Sequence, residues 1–183
     1  MKRFILFICV MVSLSAFAQD IKKEAEKAET KMEAFASKTG VITKFKDYNL
    51  SPLKTTFTAN DTRVRVFSSG GEKKYFYQIE KEGKYSTKTA SIEYSDLLEL
   101  LKALQSLKSE VELDKASQPD YLENKFVTED GFRLGYYVSK NKVSWFIQLE
   151  KYGSDNTIFI NDVSLIESSL NEAKSKIEEL MKI

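Results

Sequence analysis

The side chains in this sequence that could carry chemistry come as a repeated set. The string YFYQIEKEG, Tyr75 to Gly83, returns as WFIQLEKYG, Trp145 to Gly153. Each copy places a Gln and a Glu two residues apart: Gln78 with Glu80, Gln148 with Glu150. Two carboxylates can hydrolyse a glycosidic bond without His or Cys, one as the acid and the other as base or nucleophile. Glu80 and Glu150 are the pair that could do so, if the fold brings them together. A pseudo-symmetric duplication would hold them apart.

Composition removes most other mechanisms. The chain has no His and a single Cys, Cys9, which lies near its start. Ser-His-Asp and Cys-His nucleophiles cannot be assembled. Beyond Cys9 there is no thiol chemistry and no disulfide. Zinc and copper sites, which depend on Cys and His, are not expected, and no metal ligands or cofactors are assigned. No phosphate loop, Walker motif or EF-hand pattern occurs. Asn49-Leu50-Ser51 and Asn60-Asp61-Thr62 match the glycosylation sequon, which matters only in a host that glycosylates.

The first 18 residues read as a secretory signal. Lys2 and Arg3 precede an apolar run from Phe4 to about Val12, and Ala16-Phe17-Ala18 offers small residues before Gln19. The run is short for a membrane span, and no second run of that length follows. Cys9 has no lipobox before it. The expected destination is the periplasm or the exterior, with no stable span after cleavage. Residues 19–183 suit a single domain. The chain carries 28 basic and 27 acidic residues; without Lys2 and Arg3 the balance is 26 to 27. Bulk charge therefore suggests neither a nucleic-acid partner nor an anionic membrane.

The elements that must position the repeated set follow from periodicity. Ile21, Ala25, Ala28, Met32 and Phe35 give a thin apolar stripe, a helix over 21–37. Gly40 suits its stop. Val41, Thr43 and Phe45 alternate as a strand that breaks between Asn49 and Pro52. Further on, Lys140-Asn141 reads as a two-residue turn pairing Val138 with Val143, Tyr136 with Trp145 and Leu134 with Ile147. Asp130-Gly131 reads as another, pairing Val127 with Leu134. Seventy residues earlier, Gly70-Gly71 and Asn60-Asp61 take the same places; Val66 meets Tyr75, and Val64 meets Phe57 and Tyr77. Ile92 and Tyr94 match Ile158 and Ile160 as a fourth strand, and Ser95 and Asn161 are N-cap candidates. Leu97, Leu100, Leu104, Leu107 and Val111 then repeat as Val163, Ile166, Leu170, Ala173 and Ile177.

The fold class expected is α+β, with two layers. An antiparallel sheet of two duplicated ββββα units, residues 54–111 and 124–183, carries helices on one face, plus an N-terminal helix and strand. The two units are small and should share a core.

If the apolar pairs face the helices, a second set faces outward. In the first unit it comprises Arg63, Arg65, Phe67, Phe76, Gln78 and Glu80. In the second it comprises Phe126, Arg133, Tyr137, Phe146, Gln148 and Glu150. Arg63 pairs with Gln78 and Arg133 with Gln148, with Glu80 and Glu150 on the diagonals. Phe126, Gly135 and Phe146 would share one row. This set reads either as a polar site with an aromatic floor or as a cross-strand ladder shielding a strand glycine. The functional expectation is an exported, non-enzymatic binding protein acting through this face or the sheet edges on an unknown protein or small-molecule ligand. The alternatives are a carrier of a hydrophobic small molecule, with Tyr75, Tyr77, Tyr136 and Trp145 lining a cavity, and a carboxylate-based hydrolase.

Overall fold

One tight turn organises each half of the molecule. In the computed structural model, which describes residues 30–56, 58–83 and 86–183, Gly70 and Gly71 take φ of 59° and 87°. Lys140 and Asn141 take φ of 49° and 61°. Positive φ at both central residues matches the right-handed twist of the flanking strands, so both are tight hairpins.

The chain from Lys31 runs α1 (Lys31–Ala36), β1 (Thr43–Asn49), β2 (Leu53–Lys54), β3 (Ala59–Ser69), β4 (Glu72–Lys81), β5 (Lys88–Glu93), α2 (Tyr94–Ala116), β6 (Tyr121–Val127), β7 (Arg133–Ser139), β8 (Lys142–Gln148), β9 (Thr157–Ile160) and α3 (Val163–Met181). The strands form two open antiparallel sheets. The first has order β1-β3-β4-β5, with β2 also on β3; the second has order β6-β7-β8-β9. Residues 21–29 of the expected first helix lie outside the described residues.

The expected inner pairs are present: Val66 with Tyr75, Val64 with Tyr77, Leu134 with Ile147, Tyr136 with Trp145, Val138 with Val143. These faces and the helix stripes build one apolar cluster containing Val64, Tyr77 and Ile92 from the first sheet, Leu134, Tyr136 and Ile158 from the second, and Leu97, Leu100, Leu104, Ile166, Leu170 and Ile177 from the helices. Each long helix also bonds to the sheet of the other half. Tyr136 Oη in β7 donates to Asp114 of α2 at 2.6 Å, and the hydroxyls of Tyr77 in β4 and Ser169 in α3 share a bond of 2.6 Å. The halves are therefore tied through their helices as well as through apolar contact.

Three local expectations are corrected. Asn60-Asp61 is not a turn; it lies inside β3, and the chain reverses at Thr55–Thr58 instead, where Thr55 N donates to Thr58 O at 2.8 Å. Leu53 pairs with Asn60, Tyr48 rather than Phe57 is the neighbour of Val64 on that side, and Phe57 itself lies outside the described residues. β1 thus occupies in the first sheet the place of β6 in the second. The Asp130-Gly131 reversal is wider than two residues. Thr128 N bonds Phe132 O at 2.9 Å and Val127 pairs with Arg133, not Leu134. The helix caps are Glu93, with no side-chain bond, and Asp162, which accepts from Ser164 N, rather than Ser95 and Asn161.

Candidate functional site

The one-residue difference at the Asp130 loop reverses a side chain of the expected site. With Phe126 opposite Leu134, Phe126 points toward the helices and packs on the main core. A shift of one residue moves a whole strand face, because side chains alternate with period two. The outward row is Lys125, Gly135, Phe146 and Phe159. Gly135 opens no space there. A Cβ on it would run into the Asn124 carbonyl and the Lys125 side chain, so the glycine is needed for close approach of β6.

The first sheet's outer face is assembled as the register implies. Arg63 Nε donates to Gln78 Oε1 at 2.8 Å, and its Nη2 to Glu80 Oε2 at 2.5 Å. Gln78 in turn donates to Ser91 Oγ at 2.8 Å and to the Met32 sulfur at 3.4 Å. Arg65 forms a two-pronged pair with Asp47, both arms 2.7 Å, and lies 4.2 Å from the Phe45 ring centre. The bond from Arg65 holds the Asp47 carboxyl below the usual carboxylate range.

That face is closed over Phe67, Phe76 and Gln78, while Phe45 on the edge strand stays 53% exposed. α1 lies across it, and Phe35 joins Phe67 and Phe76 in a second apolar cluster with Met32 beside them. Phe76 and Gln78 retain 0% and 1% exposure. α1 is pinned at its start. The Lys31 backbone N–H is bonded to Asp130 at 3.1 Å, and its ammonium reaches Asp96 at 2.7 Å and Glu129 at 3.4 Å. Burial works against the Lys31 charge, but the bonds to Asp96 and Glu129 outweigh it and raise its pKa. Burial raises the pKa of Asp130. The second oxygen of the buried Asp96 has no partner among the described residues. Of the expected stripe, Met32 and Phe35 lie on the described helix; the face they cover was not legible in the sequence.

The second sheet's outer face differs. Arg133 Nη1 donates to Gln148 Oε1 at 2.9 Å, as expected, but Glu150 turns away to Lys88 at 3.1 Å. Phe146 is buried, whereas Tyr137 is half-buried and joins two rings the sequence reading did not select. Tyr121 stacks on Tyr137 with centroids 6.1 Å apart, and Phe159 meets it edge-on at 6.3 Å. Tyr121 and Phe159 are 60% and 58% exposed. Their signal in the sequence was position: Phe159 is the outward residue between Ile158 and Ile160.

The geometry places Glu80 and Glu150 in separate ion pairs, Glu80 with Arg63 and Glu150 with Lys88 of β5. Between the sheets and helices, the space lined by Tyr77, Ile79, Phe132, Leu134, Ile147 and Ile166 amounts to about 10 Å³, room for one water at most. Asn60 is buried and bonded to the Leu53 carbonyl, so that sequon is closed in the folded chain. Among the described residues no group of three Asp or Glu side chains could hold a metal, and no helix is long and apolar enough to cross a membrane. Comparison with family models, curated proteins and solved structures yields no match to this chain.

Proposed function

We propose that this is an exported, non-enzymatic binding protein that engages a partner polypeptide through the outer face of its second sheet. One observation carries the reading: two duplicated faces are treated differently. The first is covered over Phe67 and Phe76 by Phe35 and Met32 of α1, with Phe45 exposed only at its edge beneath Arg65, while the second keeps Tyr121 and Phe159 more than half exposed around Tyr137. Exposed aromatic rings grouped on one face are the residues that dominate binding surfaces. The way the first face is closed indicates what suits the second: a segment presenting an aromatic or aliphatic anchor, with Arg133 and Gln148 at the rim.

The reading of export rests on residues 1–18 of the sequence. Its test pairs Tyr121→Ala and Phe159→Ala with the parent protein in crosslinking pull-downs from the producing cells. The expected result is loss of a specific partner from the double variant at unchanged thermal midpoint. A partner set identical in parent and variant overturns the site.

A further inference from the structure

The helix-facing side of the first sheet changes character along its length. Register sets three rows across β1, β3 and β4: Tyr48–Val64–Tyr77, then Lys46–Val66–Tyr75, then Lys44–Ser68–Lys73. The first row is core. The last lies beside the Gly70-Gly71 turn, where Leu180 and Ile183 at the end of α3 close one side of a cleft of about 110 Å³.

The duplication supplies an internal control. The equivalent rows of the second sheet are Asn124–Tyr136–Trp145 and Leu122–Val138–Val143. Leu122, Val138 and Val143 belong to the apolar core or pack on it. The fold therefore does not demand lysine at 44 or 73. Above the second sheet, α2 supplies acids: Asp114 to Tyr136, and Glu110 to Asn124 at 2.7 Å. At the place of Asp114, α3 carries Leu180. The first half thus gains three ammonium groups where α3 carries Leu180 in place of an acid, its neighbour Glu179 being taken up by Lys176 at 3.0 Å. Nearby lysines do find acids, Lys38 with Glu72 at 2.6 Å and Lys74 with Glu93 at 2.7 Å. Among the described residues, Lys44, Lys46 and Lys73 make no ion pair or side-chain hydrogen bond. Protection of an exposed edge favours lysines on β1, and on β4 beyond Phe76 where β5 ends, but it sets neither their place on the helix-facing side nor their convergence on one cleft.

We infer that this cleft binds the anionic head of a ligand, a phosphate-type dianion held by Lys44, Lys46 and Lys73 against the Tyr48 and Tyr75 rings. The volume, a few times the roughly 30 Å³ share of one water, admits a tetrahedral oxyanion group and leaves the rest of its carrier outside. Three ammonium groups complement a doubly charged group better than a single carboxylate charge. The site is independent of the aromatic face on the second sheet.

The experiment follows backbone amide shifts of the isotope-labelled full chain as inorganic phosphate is added, against chloride at matched ionic strength. Saturable shifts confined to Lys44–Tyr48, Val66–Ser68, Lys73–Tyr75 and the end of α3 are expected with phosphate only. Lys44→Leu with Lys73→Val, which installs the second half's residues, is expected to weaken binding at least about tenfold; Lys44→Gln with Lys73→Gln serves if that variant fails to fold. Co-sedimentation with phosphatidic acid vesicles, against phosphatidylcholine alone, separates the sources. Vesicle binding lost in the double variant identifies a lipid headgroup, and phosphate binding without vesicle binding identifies a free phosphate-type ligand. Shifts equal in chloride, or unchanged in the variants, overturn the site.

Discussion

Phe35 stands edge-on to Phe67 with ring centroids 5.8 Å apart and planes at 86°. The contact joins a six-residue helix to the last turnward residues of an eleven-residue strand. A helix that short has no stability of its own in water, so its position is set by the bonds of Lys31 at its start and by what Phe35 and Met32 bury further along. Phe35 lies outside the main core cluster. Phe35→Ala should therefore free α1 while leaving the rest folded. The Ser37 amide, bonded to Glu33 O at 2.9 Å, reports this. Its hydrogen exchange should rise at least about tenfold with little change in the urea midpoint. A Ser37 amide that stays protected would show that α1 is held by something other than Phe35.

The pair between Asp47 and Arg65 predicts an acid dependence. The bond from Arg65 lowers the Asp47 pKa below its ordinary value of 3.8. Its stabilising contribution is complete above that ordinary value and is lost as pH falls through the lower, folded value. Asp47→Asn should cost about 1 kcal/mol at neutral pH and make the loss of stability below about pH 4 shallower. Urea midpoints at pH 7 and pH 3 compare the two proteins. Equal losses in both would rule the pair out as a source of acid sensitivity.

Gly135 tests how the second sheet is held together. Its missing side chain lets β6 lie close, since a Cβ would meet the Asn124 carbonyl and Lys125. The obstacle is backbone, which cannot swing aside. Gly135→Ala should cost about 1–3 kcal/mol, as overpacking does. The damage should concentrate in β6, seen as faster exchange of amides over Tyr121–Val127. Uniform protection would mean that β6 can move away without loss.

The sequence was most readable where side-chain type and turn chemistry agreed. Val138, Tyr136 and Leu134 could meet Val143, Trp145 and Ile147 in one register only, and Lys140-Asn141 allowed the turn that sets it. The Leu97 to Leu107 and Ile166 to Ile177 stripes lie in the core they implied. The reading failed where one residue decides a face. Thr128 adds a side-chain bond to the Asp130 loop, its Oγ1 accepting from Phe132 N at 3.1 Å, and the wider loop turns Phe126 inward. Asn60 looked like a turn residue, yet its amide caps the Leu53 carbonyl from within β3 at 3.0 Å. The Arg–Gln pairs were legible because cross-strand neighbours follow from register. The cover over Phe76 was not, because periodicity gives the apolar stripe of a helix and says nothing of the surface it meets.

Tyr136 predicts a dependence at the other end of the pH scale. Burial, reinforced by the bond to Asp114, pushes its pKa up to about 12 from an ordinary 10. A group whose folded state holds its proton more tightly stabilises the fold fully below the unfolded value. That contribution declines as pH rises from 10 toward about 12, because the unfolded chain gives up the proton first. Tyr136→Phe removes both the titration and the 2.6 Å bond to Asp114. Near pH 8 it should cost about 1 kcal/mol, the usual worth of such a bond. Between pH 10 and 11.5 the parent protein should lose stability faster than the variant, and their urea midpoints should converge. Tyr77 titrates alike in both and cancels from the comparison, its pKa also raised by burial. Midpoints that fall in parallel would mean that Tyr136 loses its proton as readily in the folded chain as in the unfolded one.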